Sequence, residues 1–178
     1  MSRQNAKSRQ NFTYFCGGMI LGFFLIGLGV RIFCDINMDR NCMGHLKRAA
    51  DASTIELAHQ EMGIALAYLK NHQLTEGYTS VIYTTPDEDI NFWYRNLATS
   101  QEELETALNN KASQLEKSNI LLKLRETLLD HGSSGSEILT RPEGISIYPY
   151  NTQVAFLLLT SLVVSLLCFG IGCFFFDY

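Results

Sequence analysis

The chain has 178 residues, is 47% hydrophobic and carries a formal net charge of −4. Residues 34–151 hold 17 of the 18 acids and 10 of the 14 bases, a local net charge of −7, whereas 12–30 and 154–176 hold no charged side chain. Two oily ends around an acidic middle exclude a single soluble domain, and the acidic balance excludes nucleic acid as a partner, because phosphate binding needs a basic face.

Residues 1–11 form a tail with three bases (Arg3, Lys7, Arg9) and no acid. "FTYFCGGMILGFFLIGLGV" follows, long enough for the roughly 20 apolar residues that cross a bilayer. A cleaved signal peptide fits poorly, since the apolar stretch is too long and no A-x-A-like site follows it. Phe precedes both Cys16 and Cys34 and is too large for a lipoprotein cleavage site. Residues 12–33 are therefore read as a first transmembrane helix. Gly18, Gly22 and Gly29 make a small-residue stripe on it, the kind of surface through which helices approach in lipid.

Residues 34–151 are predicted as an antiparallel helical hairpin. Ile55, Ala58, Met62, Ala65 and Leu69 alternate in steps of three and four, so "GHLKRAADASTIELAHQEMGIALAYLKNHQ" reads as one amphipathic helix, continuous with the first span across Asn37, Asn41 and Gly44. A tip loop occupies 74–85, with a turn at Gly77. Thr85-Pro86-Asp87-Glu88 reads as a capping box with proline at N1, which accounts for Asp87, Glu88 and Asp89 at the positive end of a helix dipole. Phe92, Trp93 and Tyr94 are consecutive and cannot share one helix face. Tyr78, Tyr83 and Trp93 are the candidates for an aromatic cap on the tip. With Asp87, Asp89 and Tyr94 they form the candidate interaction surface, since Trp and Tyr dominate interface hot spots.

The second helix is expected to run unbroken from 86 to 131, with Gly132 as its stop. Leu108, Leu115, Leu122 and Leu129 repeat every seven residues along it, a coiled-coil-like seam. "GSSGSEILTRPEGISIYPYNT" reads as a linker over 132–151, with Tyr148 and Tyr150 in an interfacial aromatic belt. "VAFLLLTSLVVSLLCFGIGCFFF" supplies a second transmembrane helix, 152–176, with a small-residue stripe at Ser161, Ser165, Cys168 and Gly172. Paired antiparallel, the two stripes put Gly18 beside Gly172 and Gly29 beside Ser161. Asp177 and Tyr178 form the other tail. The fold class expected is all-α, with two spans flanking a long extracytoplasmic hairpin. The basic first tail places both termini in the cytoplasm by the positive-inside rule.

Catalytic and cofactor motifs are missing. There is no P-loop, G-x-S-x-G, H-E-x-x-H or C-x-x-C, so no enzyme and no cofactor is expected. Cys34, Asp39, Cys42 and His45 have the residue types of a soft-metal site without a zinc spacing, and are read as metal-free. Neither apolar stretch, 12–30 or 154–176, carries a charge, which argues against an ion path.

The stretch "GYTSVIYTTPDEDINFWYRNLATSQEEL", with "LKRAADASTIELA" upstream, resembles a group of uncharacterised bacterial two-span membrane proteins, chiefly of photosynthetic bacteria. The resemblance covers about a third of the chain. It implies an inner membrane, cytoplasmic or thylakoid, and no particular activity. The layout also resembles the periplasmic sensor part of chemoreceptors, where two hairpins dimerise into a four-helix bundle; the expectation here is that layout without a signalling domain. The role expected is a non-enzymatic scaffold or accessory subunit of a membrane complex, in contact with lipid and self-associating through the hairpin. The alternative is a ligand-sensing module that acts through a separate partner, with the small molecule unspecified.

Overall fold

The computed structural model describes residues 3–110, 112–131, 135 and 137–176, and the side chains among them from 11 to 130, at 135 and from 137 to 171. Gly132, the predicted helix stop, the surroundings of Gly172 and the last two residues lie outside the described residues. The chain is mostly helical and divides into two compact units, 1–33 with 150–178, and 34–149.

The first unit contains two helices long and apolar enough to cross a membrane. They belong to α1 (Arg3–Met38) and α6 (Asn151–Phe176). Within this unit they pack antiparallel along two seams. Thr13, Gly17, Ile20, Phe24 and Gly27 on α1, and Val154, Leu158, Ser161, Ser165 and Cys168 on α6, are among the covered positions, with Gly17 and Ser165 buried. Both sets alternate four and three, the spacing of a left-handed helix pair. Cβ atoms placed on Gly17 and Gly27 would meet Cys168 at 3.2 Å and Leu158 at 3.0 Å. Ser165 Oγ donates to the Gly17 carbonyl at 3.1 Å, and Tyr14 stacks on Phe169. Gly18, Gly22 and Gly29 have nothing within 4 Å of a Cβ position. The glycine stripe expected at the helix contact therefore faces elsewhere. One residue turns a helix face by about 100°, so Gly17 replaces Gly18 at the seam. Phe12, Phe15, Phe23, Phe156 and Leu159 point outward, bare on every side.

The second unit is a bundle of four helices, not two. α1 passes through a π-helical stretch, Asp39–Met43, into α2 (Gly44–Ala50) with no turn at 35–43. The wide turn sits where Asn41 Nδ2 donates to the Asn37 carbonyl at 2.8 Å. The helix expected over 44–73 breaks at 51–54. Thr54 turns extended, its hydroxyl accepts from the Leu57 amide, and α3 (Ile55–Asn71) begins. The break lets α3 fold back on α2 and buries Ala49, Ala50, Ile55 and Ala58 in one interface.

The helix expected over 86–131 divides as well. Thr85 does not cap it; its hydroxyl donates to the Glu88 carboxylate at 2.8 Å within a short 3-10 turn. Asp89 is the N-cap, accepting from the Asn91 and Phe92 amides, and α4 runs Ile90–Asn109. After a break, Ser113 caps α5 (Gln114–Leu128) by accepting from the Glu116 amide. The leucine seam does not survive these breaks. Leu108 lies on α4, Leu115 and Leu122 face out from α5, and Leu129 lies in strand β1 (Leu129–His131). Leu97, Leu104, Leu124 and Leu128 fill the core instead.

β1 pairs antiparallel with β2 (Glu137–Leu139), Leu129 opposite Leu139. The presumed linker is thus structured: after β2, Pro142 and Ile145 are buried against the bundle. Consecutive helices pack as antiparallel neighbours, and α5 closes against α2. Gln101 Nε2 donates to the His59 carbonyl between α4 and α3, and Lys123 pairs with Glu103 between α5 and α4.

Candidate functional site

Asp89, Trp93 and Leu97 recur every four residues and share one face of α4. That face looks across a groove at Thr127 of α5 and at Ile138, Leu139, Thr140, Arg141 and Pro142 of the β ribbon and the segment after it; Pro86, Asp87, Phe92, Asn96 and Asp130 complete a cavity of about 610 Å³. This volume lies within the usual range for small-ligand clefts. The floor is apolar. Trp93 is buried, and its indole N–H donates to the Thr140 carbonyl at 2.8 Å, tying α4 to the ribbon. The rim is charged. Asp87 is exposed, Asp89 is occupied by its capping bonds, and Arg141 pairs with Asp39 at 2.6 Å. Carboxylates outnumber cations on this lining, which suits a neutral or cationic occupant.

The structure brings Asp87, Asp89 and Trp93 together around this groove. Tyr78 and Phe92 border a smaller neighbouring cavity of about 400 Å³ with Thr84, Thr85, Pro86 and Asp89. Tyr94 turns to the other side of α4 and packs half-buried on the core, and Tyr83 is exposed. The expected aromatic cap of Tyr78, Tyr83 and Trp93 does not form, because Trp93 is drawn into the core while Tyr83 stays in the loop. Thr140 and Arg141 join the site without a motif of their own. A signal for them exists: short apolar runs on either side of Gly132-Ser133-Ser134-Gly135-Ser136 mark a β-hairpin.

A second polar cluster lies between α2 and α3. Glu61 is buried, with His45 Nδ1 at 2.6 Å from one carboxylate oxygen and Arg48 at 2.6 Å from the other. His45 and Arg48 are one turn apart on α2, so both reach the same carboxylate. Each carboxylate oxygen has a charged or polar partner, and the cluster reads as a clamp between helices. Cys42 is buried nearby, and desolvation pushes its thiol up to about 12, with Arg141 opposing. It is an inert packing thiol. Cys34 and Cys42 are both free. No group of three metal-ligating side chains occurs among the described residues. No family model matches the chain, and no curated protein or solved structure matches it.

Proposed function

We propose that this chain is an integral membrane scaffold or accessory subunit, anchored by the apolar parts of α1 and α6 and self-associating through its helical domain. The outward phenylalanines and leucines of the first unit support the anchor, because apolar side chains on the outer surface, with hydroxyls on α6 bonded to backbone carbonyls, suit hydrocarbon. The basic first tail supports cytoplasmic termini and an extracytoplasmic domain at 34–149. The observation that carries self-association is on α5. Leu115 and Leu122, two turns apart on one face, are 74% and 56% exposed. Both lie on a helix already packed against α2 and α4 by its other side, so the pair is free for a second copy.

Light scattering of the detergent-solubilised chain tests this. The wild type is expected as an oligomer, and Leu115→Glu with Leu122→Glu as a monomer of unchanged helicity. A wild-type chain that is monomeric and bound to nothing overturns the proposal.

The second reading is an extracytoplasmic ligand-sensing module acting through a separate partner, favoured by the groove of about 610 Å³ beside Trp93. It expects a thermal shift on adding a neutral or cationic small molecule. Asn96→Leu, which fills the groove without touching the Trp93 hydrogen bond, would remove that shift.

A further inference from the structure

The loop between α3 and α4 carries no charge from Gly77 to Pro86, although acids flank it at Glu76 and Asp87. Its base is tied down. The Ile90 amide donates to the Gly77 carbonyl, the Thr79 amide to the Glu88 carbonyl, and Tyr78 bridges Asp89. Gly77 lies against Tyr148 so closely that a Cβ there would overlap the Tyr148 hydroxyl. Beyond this staple the apolar residues are bare. Ile82 is 91% exposed and Tyr83 74%, with Val81 exposed beside them.

The place of the loop in the domain says what covers these side chains. The hairpin expectation put it at the far tip, but the four-helix order puts it at the opposite end. Asn37 donates to the Tyr68 hydroxyl near the end of α3, and Ser146 donates to Asp35. With Gly77 on Tyr148, these contacts gather Asp35, Asn37, Tyr68, Ser146, Tyr148 and the base of the loop, Gly77–Thr79 with Glu88–Ile90, at one end of the bundle. That is the end at which the chain enters this domain, at Cys34, and leaves it, at Pro149. Both junctions with the apolar helices are there.

We propose that the 80–84 loop is a third membrane contact, with Val81, Ile82 and Tyr83 entering the headgroup region of the leaflet that borders the domain. This rests on the membrane reading above. A short uncharged segment with aliphatic side chains and a tyrosine suits the interface, where an amphipathic ring meets lipid on one side and water on the other. The occupant is lipid, because chain connectivity at Cys34 and Pro149 brings the bilayer to this end. Tyr148 and Tyr150 flank the second junction and extend the same belt.

The test uses the full chain in phosphatidylcholine–phosphatidylglycerol vesicles containing phospholipids brominated at shallow and deep acyl positions. Tryptophan is introduced singly by Ile82→Trp, Phe23→Trp and Leu57→Trp, with Trp93 retained and the wild type as blank. All three sites are exposed, so the fold tolerates the larger ring. The expected result is quenching at Ile82 by shallow bromines, several-fold above that at Leu57 near the far turn, and quenching at Phe23 by deep ones. Quenching at Phe23 without quenching at Ile82 overturns the loop proposal and leaves the membrane reading standing. A blue-shifted but unquenched Ile82→Trp also overturns it, by showing protein as the cover. Loss of quenching at Phe23 overturns the membrane reading and this inference with it.

Discussion

The Glu61 clamp makes a prediction whose sign is unusual. Glu61 keeps only 8% of its side-chain surface, while Arg48 keeps 70% and His45 24%. Removing both partners by His45→Ala with Arg48→Ala leaves an uncompensated buried carboxylate. Breaking such a pair typically costs roughly 3–5 kcal/mol. The low end, about 3 kcal/mol, applies here because water can follow the emptied, well-exposed Arg48 site. At about 4 °C per kcal/mol for a domain of this size, the midpoint of thermal unfolding should fall by roughly 12 °C. Adding Glu61→Met to the double variant should recover most of that loss. The methionine buries no charge, its flexible chain fills the gap, and its neighbours Ala58, Met62 and Ala65 are apolar. Thermal unfolding of all three proteins in one detergent, followed by circular dichroism, gives the comparison. A triple variant no more stable than the double would refute the reasoning, and would mean that the loss came from helix α2 and not from the orphaned carboxylate.

Three further outcomes follow from other contacts. Gly77→Ala should destabilise the domain by about 2 kcal/mol or more, from its φ of +105° and the displaced Tyr148, whereas Gly135→Ala, at φ +74° with open space around it, should cost about 1 kcal/mol; denaturant midpoints separate them. Trp93→Phe keeps an aromatic ring but loses the bond to the Thr140 carbonyl, for about 0.5–1.5 kcal/mol, and Trp93→Ala should cost about 3–5 kcal/mol; a Phe variant as unstable as the Ala variant would deny the role of packing. Gly17→Leu should separate the two apolar helices, seen as lost cross-linking between cysteines placed at Tyr14 and Phe169, whose rings stack, while Gly18→Leu and Gly22→Leu leave it intact; the reverse order would restore the Gly18 stripe.

Parts of the fold were legible because local chemistry sufficed. Length and apolarity alone mark the two candidate spans, and uninterrupted helical residues carry α1 on toward Ala50. The capping box Ser113-x-x-Glu116 marks the start of α5, a break that the seven-residue spacing of the leucines does not register. Thr85 and Glu88 mimic the same pattern, but their side chains bond to each other, leaving the cap to Asp89. The 51–54 break carries a local signal, since Ser53 and Thr54 ahead of Ile55-Glu56 are N-cap residue types, but helix formers on either side oppose it. Ala49, Ala50 and Ala52 are good helix formers, and the chain turns there because doing so buries α3 on α2.

The sequence by itself determined that the chain has two apolar stretches of membrane-spanning length and a charged helical middle, since charge and hydropathy act residue by residue. Tertiary structure decided how the four helices and the β ribbon of this middle pack on one another. It decided too that Gly17 and not Gly18 meets α6, and that the uncharged loop lies at the end with both chain junctions. Those outcomes depend on which faces cover one another once the chain folds back, and a face is chosen by burial summed over distant segments.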